Sequence, residues 1–192
     1  KQDWKLEQAI AGYVDAKLEQ DYLEFRGLKM AVLMDFIRDC YLNLIGKQYV
    51  ISEDVFRNGI KELKKQTKDV LRKVFPEVSD EQVEIMTSHV QGMNRYTFGQ
   101  SLRDMFSYLG LGVSRDERRH FLYTRNKLVH EARYASSDAW AEYAMMITLV
   151  GKTLLAILEY DGYCYDWTKP SGWVGPDMAR RVKMEYQESQ GG

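Results

Sequence analysis

Apolar residues recur along most of this chain at three- and four-residue steps, the spacing that lines one face of an α-helix. Leu6, Ile10, Tyr13, Val14 and Leu18 form the first stripe, with Glu7, Asp15 and Lys17 off it, and predict an amphipathic packing helix. A second helix is predicted over residues 21–43. It is nearly continuous in apolar residues between Met30 and Ile37, which places it at the centre of a bundle, and Gly46 ends it. Ser52 opens a third, with Val55, Phe56, Ile60, Leu63, Val70, Leu71 and Val74 as its buried side and Pro76 as its stop. From Ser79 a short helix carries Val83, Met86 and Val90, with a turn at 91–94 after it. Thr97 starts a helix that buries Phe98, Leu102, Met105, Phe106 and Leu109 and runs into Gly110 and Gly112. The next spans about 114–133, opened by the capping box of Ser114 and Glu117. A last long helix shows Trp140, Tyr143, Ile147, Val150, Leu154 and Leu158 on one stripe. The expected fold is therefore an all-α bundle of about five to seven helices in a single domain, 1–192. Its core covers about 21–167. An aromatic tail from Tyr163 becomes loop-like at Pro170, Gly172 and Pro176, with a short helix near 178–185.

Two charges interrupt this pattern. Asp35 lies between Met34 and Phe36 in a segment that should be buried, and Arg125 falls on the apolar stripe of Phe121, Leu122, Leu128, Val129 and Ala132. A guanidinium cannot shed its proton, so it must meet a carboxylate, carbonyl groups, an anionic ligand or a partner subunit. Asp35 is the leading candidate for that partner and Glu24 the second; Asp35 reaching solvent or capping a backbone group is the competing reading. The same helix has a polar line, Arg119, Tyr123, Asn126, His130 and then Arg133 or Tyr134, on which the Asn126 amide could orient the His130 imidazole. On an unbroken helix Arg125 and His130 diverge by about 140° and roughly 7.5 Å. A helix break or a second copy of the chain is needed to bring them to one phosphate.

Arg125-Asn126 followed after three more residues by His130 resembles the Arg-polar-x3-His signature of the HEPN superfamily, small all-helical domains of which many are metal-independent ribonucleases. The helix order around the motif agrees, and the closing run 157–163 is similar to the end of ApeA-like and other abortive-infection members. Arg115 and His120 repeat the spacing. The second match is preferred because an amide follows its arginine and because it crosses the apolar stripe, whereas the first sits on a charged opening turn. The resemblance implies a HEPN-like bundle with Arg125, Asn126 and His130 catalytic. Its expected chemistry is RNA cleavage by 2′-hydroxyl attack to leave a 2′,3′-cyclic phosphate, without metal or cofactor. It also implies a homodimer with a composite active site, in which a two-fold axis near His130 sets each residue opposite its twin. Transfer RNA as substrate, an antiphage or toxin setting, and control by an N-terminal sensor domain or an antitoxin are further implications. Arg119, Tyr123 and Arg133, with Tyr134, become secondary RNA contacts.

Composition changes this picture in three places. A net charge of -1 argues against a globally basic nucleic-acid coat, so RNA binding must rest on a local patch. One candidate is the basic side of the third helix, Lys61, Lys64, Lys65 and Lys68 with Arg57, Arg72 and Lys73, where only Glu62 and Asp69 stand near. A solvated helix face is the slightly favoured reading, and the RNA reading gains weight only if this face lies near His130. Two cysteines, Cys40 and Cys164, make no metal, redox or disulfide framework, and the default compartment is the reducing cytosol. The three histidines are dispersed, and His89 reads as structural. The longest apolar run, 144–151, is far short of the roughly 20 residues of a membrane span. A chain that begins at Lys1 reads as the C-terminal part of a longer protein. Two other readings stay open: a non-catalytic HEPN-like interaction or RNA-binding module with Arg125 in a structural ion pair, and an unrelated bundle with an accidental motif.

Overall fold

The computed structural model describes residues 4–18, 21–169 and 172–174. Among them lie seven α-helices: α1 (Leu6–Ala16), α2 (Leu23–Leu44), α3 (Glu53–Val74), α4 (Asp80–Ser88), α5 (Phe98–Tyr108), α6 (Arg115–Glu131) and α7 (Ala139–Ile157). A 3₁₀ turn, His89–Asn94, follows α4, and the two-residue strands β1 (Cys164–Tyr165) and β2 (Trp173–Val174) pair antiparallel. The all-α expectation therefore holds. The helix expected at 178–185 lies outside the described residues.

The chain divides into two compact units, Lys1–Ile45 with Phe98–Gly192, and Gly46–Thr97. Neither boundary carries a proline- or glycine-rich linker, so composition alone did not mark them. In the first unit α2 packs against α1, α5, α6 and α7. Its Met30, Met34 and Ile37 meet Leu102, Met105 and Phe106 of α5, Phe121 and Leu128 of α6, and Tyr143, Ile147 and Val150 of α7 in one buried cluster. This core begins at Trp4, not at residue 21, because Trp4 stacks on Tyr41 with centroids 6.3 Å apart and Ala9 and Ala16 are buried. The face of α1 is rotated from the expected stripe. Ala9 and Ala16 face inward, with Leu6 and Tyr13 partly buried, while Ile10, Val14 and Leu18 are exposed. Small residues let the helices approach closely: a Cβ on Gly12 would stand 3.4 Å from Leu33 Cδ1.

Helix α7 is long and apolar enough to cross a membrane, contrary to the count over 144–151 alone, because Leu154, Leu155, Ala156 and Ile157 continue the apolar run beyond Lys152. Its inward residues, from Tyr143 to Leu154, are packed into the bundle core. In the second unit α3 has no buried residue. Phe56, Ile60 and Leu71 are half-buried, but Val55, Leu63, Val70 and Val74 of the expected inner side are exposed, because only the short α4 and the 3₁₀ turn lie against this helix within the unit. The interior there is Val83, Thr87, Val90 and Asn94. Asn94 ties the unit's two ends by accepting from the Ile51 N–H at 2.9 Å and donating to the Ile51 carbonyl at 3.0 Å.

Close packing also secures the end of α6. Tyr134 is buried and donates its hydroxyl to the Leu23 carbonyl at 2.7 Å, directly over Gly27. A Cβ at Gly27 would stand 2.8 Å from Tyr134 Cζ and 3.0 Å from Leu128 Cδ1. Gly27→Ala is therefore expected to destabilise the protein by about 1–3 kcal/mol through overpacking, despite alanine's better helix propensity. Urea denaturation measures this, and a stabilised variant would show that Tyr134 moves aside without cost.

Candidate functional site

Helix α6 places every residue of the candidate site on or beside it except Asp35 and the α3 lysines. Both capping-box bonds are present at its start: Ser114 Oγ accepts from the Glu117 N–H, and Glu117 accepts from the Ser114 N–H at 2.7 Å. The helix then runs without interruption to Glu131. Ala132 ends it in the left-handed region, at φ 52°, with its N–H on the Leu128 carbonyl. The expected extension to Arg133 does not form, since a residue at positive φ turns the chain out of the helix.

Arg125 reaches from the inner edge of α6 to α2. Its Nη2 donates to Asp35 Oδ2 at 2.7 Å, its Nη1 donates to Asn126 Oδ1 at 3.0 Å, and its Cζ lies 4.9 Å from the Phe98 ring centroid. The arginine and aspartate side chains are 20% and 27% exposed, so this is a partly buried pair rather than a surface one. Arg125 Nε and Asp35 Oδ1 are buried without a hydrogen-bond partner. The Asn126 amide oxygen thus serves Arg125 and not His130, against the expected amide–imidazole contact. Among the described residues His130 is exposed and its side chain makes no hydrogen bond or ion pair. Because the helix is unbroken, the divergence of Arg125 and His130 stands within one protomer.

The outer face of α6 carries Arg119, Tyr123, Asn126 and His130, all exposed. Asp116, Arg119, His120, Leu122, Tyr123 and Asn126 line an open depression of about 490 Å³. Lys127 Nζ stands 5.8 Å from the Tyr123 ring centroid. Arg133 is turned back on Glu131, at 2.8 Å from Nε and 2.6 Å from Nη2, and Lys127 reaches the same carboxylate at 2.5 Å. Lys127 and then Arg133 hold the Glu131 carboxyl below its usual pKa range. Tyr134 cannot stack on a base as the sequence suggested, because it is buried on Leu23, and burial pushes its phenol above the ordinary value.

The sequence reading sets His120 aside and misses its neighbours. His120 Nε2 lies 2.8 Å from Oε2 of Glu142, a carboxylate of α7 only 3% exposed, and the Thr124 hydroxyl donates to the same oxygen. His120 is thus the histidine with a buried acidic partner, and it opens on the depression. The available signal was Glu142 itself, a charge in an apolar helix, read by the reasoning already applied to Asp35.

In the second unit Lys61, Lys64, Lys65 and Lys68 line a separate depression of about 370 Å³ with Glu84, Thr87 and Ser88. The basic face is more neutralised than the sequence implied. Glu84 pairs with Lys68, Asp80 with Arg72 at 2.9 Å and Glu53 with Arg57 at 2.8 Å. Lys61, Lys64 and Lys65 have no ion-pair partner among the described residues. His89 is exposed and caps the C-terminus of α4. No three His, Cys, Asp or Glu side chains converge as a metal-binding group among the described residues.

Fold and site together define an all-α helical bundle with one polar helix face, braced from within by two carboxylates. No protein-family model, curated protein or solved structure matches the chain.

Removing the carboxylate would leave the Arg125 charge half-buried and uncompensated. Asp35→Ala should lower the unfolding free energy by about 1–3 kcal/mol, less than the roughly 3–5 kcal/mol seen when a fully buried pair is broken. A urea midpoint indistinguishable from that of the wild type would show that solvent satisfies Arg125 without Asp35.

Proposed function

We propose that this protein is a metal-independent endoribonuclease of the HEPN type, with an active site built across a homodimer. The observation that carries the reading is His130: an exposed imidazole without an internal partner, on an unbroken helix whose outer face also bears Arg119, Tyr123 and Asn126. An imidazole can exchange a proton with a ribose hydroxyl or a leaving 5′-oxygen. Arg125, oriented by Asp35 and Asn126, supplies positive charge to a phosphate held at the edge of that face. Arg119 is a further phosphate contact and Tyr123 a surface for base stacking. Arg133 contributes only if it exchanges Glu131 for a phosphate. The lysines of α3 form an independent basic patch for RNA in the second unit. Because Arg125 and His130 diverge along one helix, the second copy is part of the reading. Transfer RNA as substrate, a cytoplasmic antiphage or toxin role, and control by a sensor domain or antitoxin rest on the family resemblance of the Arg125–His130 motif.

The second reading is a non-catalytic module for RNA or protein binding. It is favoured by the way the Arg125 guanidinium is enclosed by Asp35, Asn126 and the Phe98 ring, an arrangement that serves stability without any ligand.

Incubation of the purified protein with total RNA in EDTA separates the two. Cleavage is expected in wild type and in His89→Ala, whose histidine lies in the second unit. In His130→Ala it should fall by about 100-fold or more, the usual weight of a general acid or base, with the circular dichroism spectrum unchanged. Absence of cleavage by folded wild-type protein favours the binding module.

A further inference from the structure

We propose that His120, positioned by Glu142, is the second proton-transfer residue of the cleavage reaction and acts on the same phosphodiester as the partner's His130. The inference rests on the ribonuclease reading above and adds to it a residue that the motif does not contain. Cleavage through the 2′-hydroxyl needs two groups, one to take the hydroxyl proton and one to protonate the departing oxygen. Among the three histidines of the chain, His120 and His130 share the exposed side of α6.

Glu142 decides what His120 does. In the neutral ring the proton lies on Nε2, donated to Glu142 Oε2 at 2.8 Å, and the Thr124 hydroxyl fixes the same carboxylate oxygen. Nδ1 is then left as an acceptor on a side chain that is 53% exposed at the rim of the depression holding Arg119, Tyr123 and Asn126. Glu142, only 3% exposed, holds the ring in this orientation through that hydrogen bond. His120 is therefore suited to be the base, and His130, which has no such carboxylate, the acid.

Within one protomer the two rings cannot share a phosphate, because ten residues of helix separate them by about 15 Å. Their midpoint along α6 is Arg125. If two copies of α6 pack antiparallel about a two-fold axis at that level, His120 comes level with the partner's His130, and by symmetry this occurs twice. Helices in contact lie about 8–10 Å apart, so the two imidazoles flank the groove from opposite sides. In this register Arg119 comes level with the partner's Glu131, which Lys127 and Arg133 already hold within its own protomer, and Tyr123 with the partner's Lys127. The register differs from one with the axis at His130, which would oppose two like histidines.

The step then balances. His120 Nδ1 takes the 2′-hydroxyl proton as the 2′-oxygen bonds to phosphorus. The bond from phosphorus to the 5′-oxygen breaks, and that oxygen receives a proton from the protonated His130 of the partner subunit. The products are a 2′,3′-cyclic phosphate and a 5′-hydroxyl, with no net redox change.

The test is complementation between inactive copies. His120→Ala and His130→Ala are co-expressed with different tags, and mixed dimers are purified through both tags. Each variant alone should lose about 100-fold or more in cleavage, whereas the mixed dimer should recover about half of wild-type activity, since one of its two sites keeps both histidines. Glu142→Gln should lower kcat with KM unchanged, the mark of a positioning role, and should leave the protein dimeric. Full activity in His120→Ala, or a mixed dimer as inactive as its parents, overturns the inference while wild-type cleavage leaves the ribonuclease reading intact. A wild type that cleaves no RNA overturns the ribonuclease reading itself.

Discussion

The Arg125 charge must be met inside the bundle, and the placement of α6 depends on how it is met. Asp35 of α2 answers it at 2.7 Å, and Asn126 takes a second guanidinium donor, so the polar helix is fastened to the helix that packs against the other four of its unit. A second carboxylate works from the other side. Glu142 of α7 collects His120 and Thr124, which ties α6 to the last long helix through charge-assisted hydrogen bonds. Between these braces Phe121 and Leu128 supply apolar contact, and Tyr134 locks the exit from α6 onto the start of α2. Such pairs add little net stability, since desolvation offsets much of their attraction, but each penalises any other register of the helix.

This bracing has a consequence for chemistry. A rigid, unbroken α6 presents Arg119, Tyr123, Asn126 and His130 on its outer side while turning Arg125 toward α2. One protomer therefore separates the arginine from the histidine that the motif associates with it. The proposed dimer sets His120 beside the partner's His130 without bending the helix, and so gives a use to His120, whose carboxylate partner is otherwise an expensive burial. The second unit stands apart from this logic. Its α3 is amphipathic yet has no buried residue, and its lysines are partly neutralised by the acids of α4.

Much of the fold was legible because helical periodicity is a local property. All seven helices were expected near their observed places, and the capping box at Ser114 marked the start of α6 to the residue. Periodicity was less reliable about which face turns inward. In α1 the alanines are buried and larger residues exposed, since close helix approach favours small side chains over hydrophobic ones. In α3 an apolar stripe exists without enough neighbouring mass to cover it.

The sequence by itself determined the helix order, the exposed polar line of α6 and the existence of two misplaced charges, Asp35 and Arg125, each of which required a partner. Those follow from spacing along the chain and from the fixed charge of a guanidinium. Tertiary structure decided which groups answered. It joined Asp35 to Arg125 across 90 positions. It gave the buried Glu142 to His120 rather than to His130, withdrew Tyr134 into the core, and set Gly46–Thr97 apart as a unit of its own. Such choices depend on which helices come to lie side by side, and a one-dimensional pattern does not contain that information.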